Sequence, residues 1–174
     1  MPRPEPLPVV IEVLLAADPD IDAIDAIGEE SFSTSTRMNA REEISRPFTH
    51  AWVARLPARS GRGQPVGYVV TWHVADELHV LNVATSTQFR RRGVGKALMD
   101  VTLRYARERK VRLIVLEVRL GNQAAVQMYR SLGFFAIGLR PGYYADNGED
   151  ALEMVLVFDP ETGRVVPGRD EVRT

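Results

Sequence analysis

The organisation of this chain is clearest around the segment Gln88-Phe89-Arg90-Arg91-Arg92-Gly93-Val94-Gly95-Lys96. A strand-like run from Glu77 to Thr85 precedes the segment, and from Gly93 the apolar residues follow a helical spacing that continues to Lys110. A strongly apolar run from Arg112 to Leu120 comes next and is typical of a buried strand. A strand, a helix and a strand in this order predict a βαβ unit whose two strands lie parallel.

Further strands and helices are predicted on both sides of this unit. Strands are expected at Val9–Leu15, Ala51–Leu56, Val66–Val74, Phe134–Leu139 and Ala151–Phe158, and helices at Asp20–Ser31, between Asn39 and Pro47, and at Gln123–Leu132. The rest of the sheet is expected to be mostly antiparallel. The pattern therefore predicts a mixed α/β (α+β) fold, with a central twisted sheet, one parallel pair and helices on both faces.

Composition excludes several classes of protein. The chain has 174 residues, with 22 Lys+Arg, 23 Asp+Glu, a formal net charge of -1 and no cysteine. Thiolate nucleophiles, Cys-ligated zinc and iron–sulfur clusters are therefore excluded, and the near-zero charge argues against a general nucleic-acid binder. The three histidines lack the spacing of metal ligands, and the apolar run Val9–Leu15 is too short to span a membrane. We expect a cytoplasmic protein without metal, nucleic acid or membrane partner.

One domain is expected, over residues 9–158. Residues 1–8 carry a proline at every second position, which predicts a loose arm. The residues after Phe158 are turn-rich and charged, so residues 159–174 are predicted to form a poorly packed, flexible tail.

The two glycines of the central segment predict an anion site. Gly93 and Gly95 stand at the mouth of a helix, where the backbone N–H groups and the helix dipole favour negative charge. Arginines and a lysine surround them and suit a pyrophosphate or a ribose phosphate. The alternative is a solvated basic loop with a glycine turn.

Two common phosphate loops fit this segment poorly. A Walker loop requires glycine where Arg90 stands and Ser or Thr where Ala97 stands. The dinucleotide fingerprint is a closer match, because Glu117 ends the next strand at about the expected 20-residue distance from the glycines. Its third glycine position is Leu98, however, and the chain supplies no second mononucleotide-binding half.

The segment Arg90–Gly95 matches the Arg/Gln-x-x-Gly-x-Gly/Ala signature of the GCN5-related N-acetyltransferases (GNAT), and from about Glu77 to Phe158 the chain resembles that family. The ribosomal-protein-alanine N-acetyltransferase (RimI-like) branch is indicated by the further segments Leu81-Asn82-Val83-Ala84-Thr85, Leu116-Glu117-Val118-Arg119, Asn122-Gln123-Ala124-Ala125, Met128–Phe134, Tyr143-Tyr144 and Gly148-Glu149-Asp150-Ala151. The segment Glu30–Thr36 lacks the Pro-Trp pair of that branch, which leaves the identity of the acceptor open.

The resemblance implies a GNAT-like fold that binds acetyl-CoA. The amides of residues 91 to 96 would hold the pyrophosphate, and the end of the strand at Val83 would pair with the pantetheine arm and donate a hydrogen bond to the thioester oxygen. Asn122 would contact the cofactor, cap its own helix, or do both. The implied cofactor-binding residues are Val83, Ala84, Thr85, Arg90, Arg91, Arg92, Gly93, Val94, Gly95, Lys96 and Asn122.

Glu117 is implied as the general base. It is the one carboxylate in the apolar run Leu113–Val118, where desolvation is expected to raise its pKa toward neutrality. A base of this kind removes a proton from the acceptor amine, directly or through a water. The alternative is a strand glutamate paired with Arg119 or Lys96.

Tyr129 is implied as the general acid that protonates the departing CoA thiolate. It follows Asn122 by seven residues, which is two helical turns, so both side chains are expected on one face of the helix. The alternative is a core tyrosine that packs on Leu132 and Phe134.

The branch acetylates the N-terminal alanine of a small-subunit ribosomal protein, so the resemblance implies a protein or peptide N-terminus as acceptor. Deprotonating an α-amine costs roughly 3 kcal/mol less than deprotonating a lysine, which suits a carboxylate base. Tyr143 and Tyr144, expected in a loop, would wall the acceptor groove. The acids Asp146, Glu149 and Asp150 would attract a cationic peptide end or form an ordinary solvated turn.

The resemblance leaves other functions open. Another N-terminus, a lysine or a small amine would use the same chemistry. A non-catalytic sensor of acyl-CoA is a candidate from a different class, although such a sensor would need neither Glu117 nor Tyr129.

Overall fold

Residues 10–34 and 36–172 are described by a computed structural model. The strands are β1 (Glu12–Leu15), β2 (Thr49–Leu56), β3 (Gln64–Val74), β4 (Glu77–Thr85), β5 (Leu113–Arg119), β6 (Phe135–Tyr144), β7 (Glu149–Phe158) and β8 (Val165–Val166). The α-helices are α1 (Ile21–Ser31), α2 (Ala40–Ile44), α3 (Val94–Glu108) and α4 (Gln123–Leu132), with 3-10 turns at Asp18–Asp20 and Thr87–Phe89. In the described part of the chain, no helix has the length and apolar character needed to cross a membrane.

The strands form one sheet in the order β1-β2-β3-β4-β5-β7-β6, and β8 pairs with the end of β7. The β4–β5 pair is parallel, and the other neighbouring pairs are antiparallel. The mixed α/β class and the parallel βαβ unit are therefore confirmed.

Helices cover both faces of this sheet because neighbouring strand residues point to opposite sides. On β2, Trp52 packs in the core beneath α3 and α4, whereas Val53 packs in the second core beneath α1 and α2. Three isoleucines spaced by three residues along α1 supply the apolar stripe of the second core, and all three are buried: Ile21, Ile24 and Ile27. Burying each of them stabilises the fold by about 1.5–3 kcal/mol, which fixes α1 against β3 and β4.

Strands β4 and β5 separate halfway along their length. They pair only from Glu77–Val80 against Leu113–Leu116. Beyond that point β5 continues beside β7, while β4 continues to Thr85 beside β3, with a bulge opposite the Val70/Thr71 step. The sheet therefore opens into a gap between the ends of β4 and β5.

Two boundaries differ from those that the sequence predicts. Helix α1 begins at Ile21, one residue after the predicted Asp20, because Asp20 lies in a 3-10 turn and its carboxylate accepts a hydrogen bond from the Ala17 amide at 2.9 Å. Strand β6 runs on to Tyr144, so Tyr143 and Tyr144 lie at the end of a strand, and the prediction that placed them in a loop is wrong.

Part of the segment predicted to be a poorly packed, flexible tail is attached to the sheet. Strand β8 pairs with Val157 and Phe158. The Asp170 carboxylate accepts hydrogen bonds from the Ala136 amide at 2.9 Å and from the Arg130 guanidinium at 2.6 Å. Charges that indicated a solvated tail are thus used to attach this segment to β6 and α4. The predicted arm over residues 1–8 lies outside the described residues.

Candidate active site

A sharp bend leads into helix α3. Gly93 is the N-cap in the left-handed region with φ 84°, and Arg91 also has a positive φ of 60°. A Cβ at Gly93 would meet nothing within 4 Å, so glycine is favoured here by backbone conformation and not by crowding. The Ala97 amide donates to the Gly93 carbonyl at 2.9 Å, which leaves the amides of residues 94–96 without partners inside the helix. The bend therefore has the geometry of an anion site.

Two other glycines permit this bend to pack closely against the rest of the protein. A Cβ at Gly67, on β3, would lie 2.7 Å from the Val94 Cγ1 atom and 2.8 Å from the Ala84 carbonyl oxygen. A Cβ at Gly95 would lie 3.3 Å from the Met128 sulfur on α4. Gly95 therefore permits α3 and α4 to approach each other, a role that its place in the signature does not show. Gly67, which was missed by the sequence analysis, seats the first turn of α3 on the sheet.

The basic residues of the bend contact different kinds of group. The Arg90 Nε atom donates to the Thr85 carbonyl at 3.3 Å, and the Arg92 guanidinium lies 5.6 Å from the centre of the Phe89 ring. The Lys96 ammonium pairs with the Asp100 carboxylate at 2.8 Å along the helix surface. The arginines therefore supply most of the positive charge at the bend, and Lys96 is partly neutralised.

The end of β4 borders the gap in the sheet. Val83, Ala84 and Thr85 pair with β3 on one side. On the other side, within the described ranges, β5 pairs with β4 only as far as Val80. An open strand edge of this kind can hydrogen-bond an extended ligand as an added strand would.

Glu117 lies at the other side of the gap, on β5. Its side chain is 27% exposed and lies 3.4 Å from the Arg140 guanidinium. The expected burial in an apolar run is wrong, since the side chains of its neighbours Leu116 and Val118 point to the opposite face, into the core of α3 and α4.

The expected partners of Glu117 are also wrong. Arg119 pairs instead with Asp146 at 2.8 Å and Glu149 at 3.1 Å, and Lys96 pairs along its own helix. Cross-strand register decides these partners, and the sequence alone does not give that register.

A second carboxylate, Glu153, faces the same group and was missed by the sequence analysis. Glu153 on β7 is directly opposite Glu117 in the register, and its carboxylate lies 3.5 Å from Arg140. Like Glu117, it is an acid that interrupts an apolar strand. That interruption is the sequence signal that could have identified it.

Tyr129 is buried on the face of α3 and α4. Its ring lies 5.6 Å from that of Phe134, as expected for a core tyrosine. Burial, with a smaller contribution from the nearby Tyr144, raises the pKa of the Tyr129 phenol well above its usual value. The hydroxyl is therefore held in its protonated form, which is the form that a general acid requires.

Tyr144 interacts electrostatically with both predicted catalytic residues, Tyr129 and Glu117. Burial raises the pKa of Tyr144 to about 12, although the Arg119 guanidinium lowers it. The Glu117 carboxylate is among the groups that raise it further. The Arg119 guanidinium lies only 3.8 Å from the centre of the Tyr144 ring, and Tyr143 packs edge-on against that ring at 5.2 Å. The two tyrosines therefore form a wall beside Glu117.

The three acids expected to attract a cation already have partners in the protein. A hydrogen bond from Arg119 lowers the pKa of Asp146, and hydrogen bonds from the Gly121 amide and then from Arg119 lower that of Glu149. The Asp150 carboxylate accepts from the Gly142 amide at 2.8 Å. These acids therefore shape the β6–β7 turn, and their attraction for a cationic peptide end stays a prediction.

The side chain of Asn122 caps helix α4. Its amide oxygen accepts a hydrogen bond from the Ala125 amide at 3.2 Å, which confirms the capping interpretation. Contact between Asn122 and a cofactor stays a prediction. Among the described residues, no group of three or more His, Cys, Asp or Glu side chains is arranged to hold a metal ion.

Comparisons with known proteins agree with this geometry. The model of the acetyltransferase (GNAT) family matches residues 19–134. A putative [ribosomal protein bS18]-alanine N-acetyltransferase of Bacillus subtilis is 31% identical over 142 residues, which cover 80% of this chain and 91% of that protein. The N-alpha-acetyltransferase RimI of Mycobacterium tuberculosis is 32% identical over 155 residues, or 84% of this chain and 91% of that protein.

A solved structure shares the fold. The ribosomal-protein-S18-alanine N-acetyltransferase from Escherichia coli superposes with a TM-score of 0.72, and the match covers 95% of this chain and 99% of that one. At 23% identity this likeness supports the fold alone.

Proposed function

The chain belongs to the GNAT family of acetyltransferases and is an N-acetyltransferase that uses acetyl-CoA, and we propose that its acceptor is the N-terminal alanine of a ribosomal protein in the cytoplasm. The relative from Bacillus subtilis is named for bS18, which makes bS18 the first candidate. The observation that carries the proposal is the gap between β4 and β5, which has the glycine bend beyond the end of β4 and Glu117 on β5.

The residues around the gap fit acetyl-CoA. The bend at Gly93 and the amides of residues 94–96 suit the pyrophosphate, with Arg90, Arg91, Arg92 and Lys96 around it. The open edge at Val83, Ala84 and Thr85 suits the pantetheine arm, and Asn122 stands at the start of α4. When bound, acetyl-CoA supplies an activated acetyl thioester.

Glu117 is proposed as the general base. Its partly exposed carboxylate takes a proton from the acceptor ammonium, so that the amine nitrogen can attack the acetyl carbon directly. An α-amine gives up that proton about 3 kcal/mol more easily than a lysine does, because the two pKa values differ by more than two units. This difference favours an N-terminal acceptor.

Tyr129 is proposed as the general acid. Burial keeps its phenol protonated at neutral pH. As the thiolate leaves, this hydroxyl gives its proton to the sulfur of CoA.

The surface around Glu117, on strands β5, β6 and β7 and the turn between β6 and β7, carries excess negative charge. Two arginines each lie between two carboxylates: Arg119 between Asp146 and Glu149, and Arg140 between Glu117 and Glu153. Four acids thus face two bases, and this surface attracts a cationic amine. The charge supports an amine acceptor of some kind, and the relatives support a protein N-terminus.

The acceptor is tested by incubating the enzyme and acetyl-CoA with three matched substrates. These are an alanine-starting peptide that contains an internal lysine, the same peptide with a blocked N-terminus, and a small primary amine. Mass spectrometry should locate the acetyl group on the free α-amine only. Acetylation of lysine or of the small amine instead would contradict the acceptor. Tight CoA binding without turnover on any amine would indicate a sensor.

A further inference from the structure

One arginine lies between two carboxylates on the face of the sheet that carries Glu117. The Arg140 guanidinium lies 3.4 Å from the Glu117 carboxylate and 3.5 Å from the Glu153 carboxylate. The two acids come from neighbouring strands and are directly opposite in the register, so their side chains share one face. The guanidinium is therefore shared almost equally between them.

The sheet makes room for the second acid. Gly138 on β6 is the residue opposite Glu153 in the register. A Cβ at Gly138 would lie 3.1 Å from the Glu153 Oε2 atom and 3.6 Å from its Cβ. A larger residue at position 138 would crowd the Glu153 carboxylate, so the absence of a side chain there leaves it space on this face.

We propose that Glu153 and Arg140 are positioning residues that set how readily Glu117 binds a proton, Arg140 by holding its carboxylate in place and Glu153 by offsetting the arginine charge. This inference rests on the proposed role of Glu117 as base. Neither residue needs to touch the acceptor for this effect.

A charge argument supports the proposal. Before the reaction, the three side chains carry one excess negative charge, and once Glu117 has taken the amine proton they are neutral. Without Glu153, the same step would leave the guanidinium beside a neutral acid without a partner for its charge, so Glu117 would bind the proton less readily. Without Arg140, two carboxylates would face each other, and Glu117 would bind a proton too readily.

Other charged and titratable groups on these strands stay the same in this comparison. They come from β5, β6, β7 and the β6–β7 turn: Arg119, Tyr143, Tyr144, Asp146 and Glu149. Asp146 and Glu149 are already paired with Arg119. Glu153→Gln therefore changes one charge beside Glu117, whereas Arg140→Met also removes the contact of the guanidinium with the Tyr143 ring, 5.5 Å away.

The direct test is an NMR titration of the Glu117 side-chain carboxyl carbon in the protein without acetyl-CoA. We expect Glu153→Gln to move its midpoint down by about one pH unit and Arg140→Met to move it up by about one unit. The double variant should return close to the wild-type midpoint, because the two charges cancel. Glu161→Gln, an exposed acid in the turn after β7, is the matched control and should move nothing.

Kinetics then connect the titration to the reaction. The acid limb of kcat/KM against pH should shift with the NMR midpoint, and kcat of Glu153→Gln should fall about three-fold near neutral pH, with Glu153→Asp restoring most of it. Shifts in the same direction for Glu153→Gln and Arg140→Met, or no shift for either, would overturn the inference. Opposite NMR shifts that leave the kinetic limb unmoved would uphold the charge arrangement and remove Glu117 as the base.

Discussion

Replacing Gly93 by alanine tests whether the bend before α3 is the cofactor site. Gly93 has φ 84°, and a Cβ there would meet nothing within 4 Å, so the substitution introduces backbone strain without a steric clash. Holding a residue with a Cβ in the left-handed region costs about 1–2 kcal/mol. If the free variant relaxes this strain and acetyl-CoA binds only to the bent conformation, the same cost appears in its dissociation constant as an increase of roughly 5- to 30-fold.

Gly163 provides a matched control. It has φ 65°, it also has nothing within 4 Å of a built Cβ, and it lies in the turn before β8, away from the gap. Calorimetric titration with acetyl-CoA should show the loss of affinity for Gly93→Ala and wild-type affinity for Gly163→Ala. Gly93→Asn should lie between wild type and Gly93→Ala, because asparagine tolerates the left-handed region better than alanine does.

Thermal unfolding separates affinity from stability. Gly163→Ala should lose stability, because its strain is present in the folded protein. Gly93→Ala should lose less, because the free bend relaxes and the strain returns only when acetyl-CoA binds. Unchanged affinity in a Gly93→Ala variant that loses less stability than Gly163→Ala, or an equal loss of affinity in both variants, would refute the assignment of the bend to the cofactor.

Two further substitutions test the fold. Asp20→Asn should destabilise the protein by about 3–5 kcal/mol in denaturant unfolding, because the Asp20 and Arg55 side chains are only 1% and 4% exposed and the arginine would lose its buried partner; the exposed Asp22→Asn should change stability by less than about 0.5 kcal/mol. Asp146, whose pKa is lowered by Arg119, should add stability above the ordinary carboxyl pKa of about 3.9 and lose it as the pH falls through its lower folded value. The difference in Tm between wild type and Asp146→Asn should therefore disappear below about pH 4. A difference that stays constant down to pH 2 would contradict this pairing.

Local signals in the sequence predict much of this structure. Helix α4 has the predicted bounds because Asn122 caps its start and Gly133, with φ 104°, ends it in the left-handed region. The order of β4, α3 and β5 is likewise as predicted. These features depend on residues close together in the chain, so a single sequence can show them.

Contacts between distant parts of the chain are harder to predict. The partners of Glu117 depend on the register of β5, β7 and β6, and β6 contains two irregularities that shift it. Strand β8 is only two residues long, and it is held by contacts of Asp170 with residues more than thirty positions earlier. The prediction that Glu117 is buried is wrong because the apolar side chains next to it, Leu116 and Val118, point to the opposite face of the strand.

The proposed mechanism requires that Glu117 takes the proton of an amine held beside the gap. The most direct measurement is kcat for acetylation of an alanine-starting peptide by Glu117→Gln, with the dissociation constant of acetyl-CoA measured in parallel. We expect kcat to fall at least about 100-fold while the dissociation constant stays within about two-fold of wild type. A variant that keeps wild-type turnover would contradict the claim.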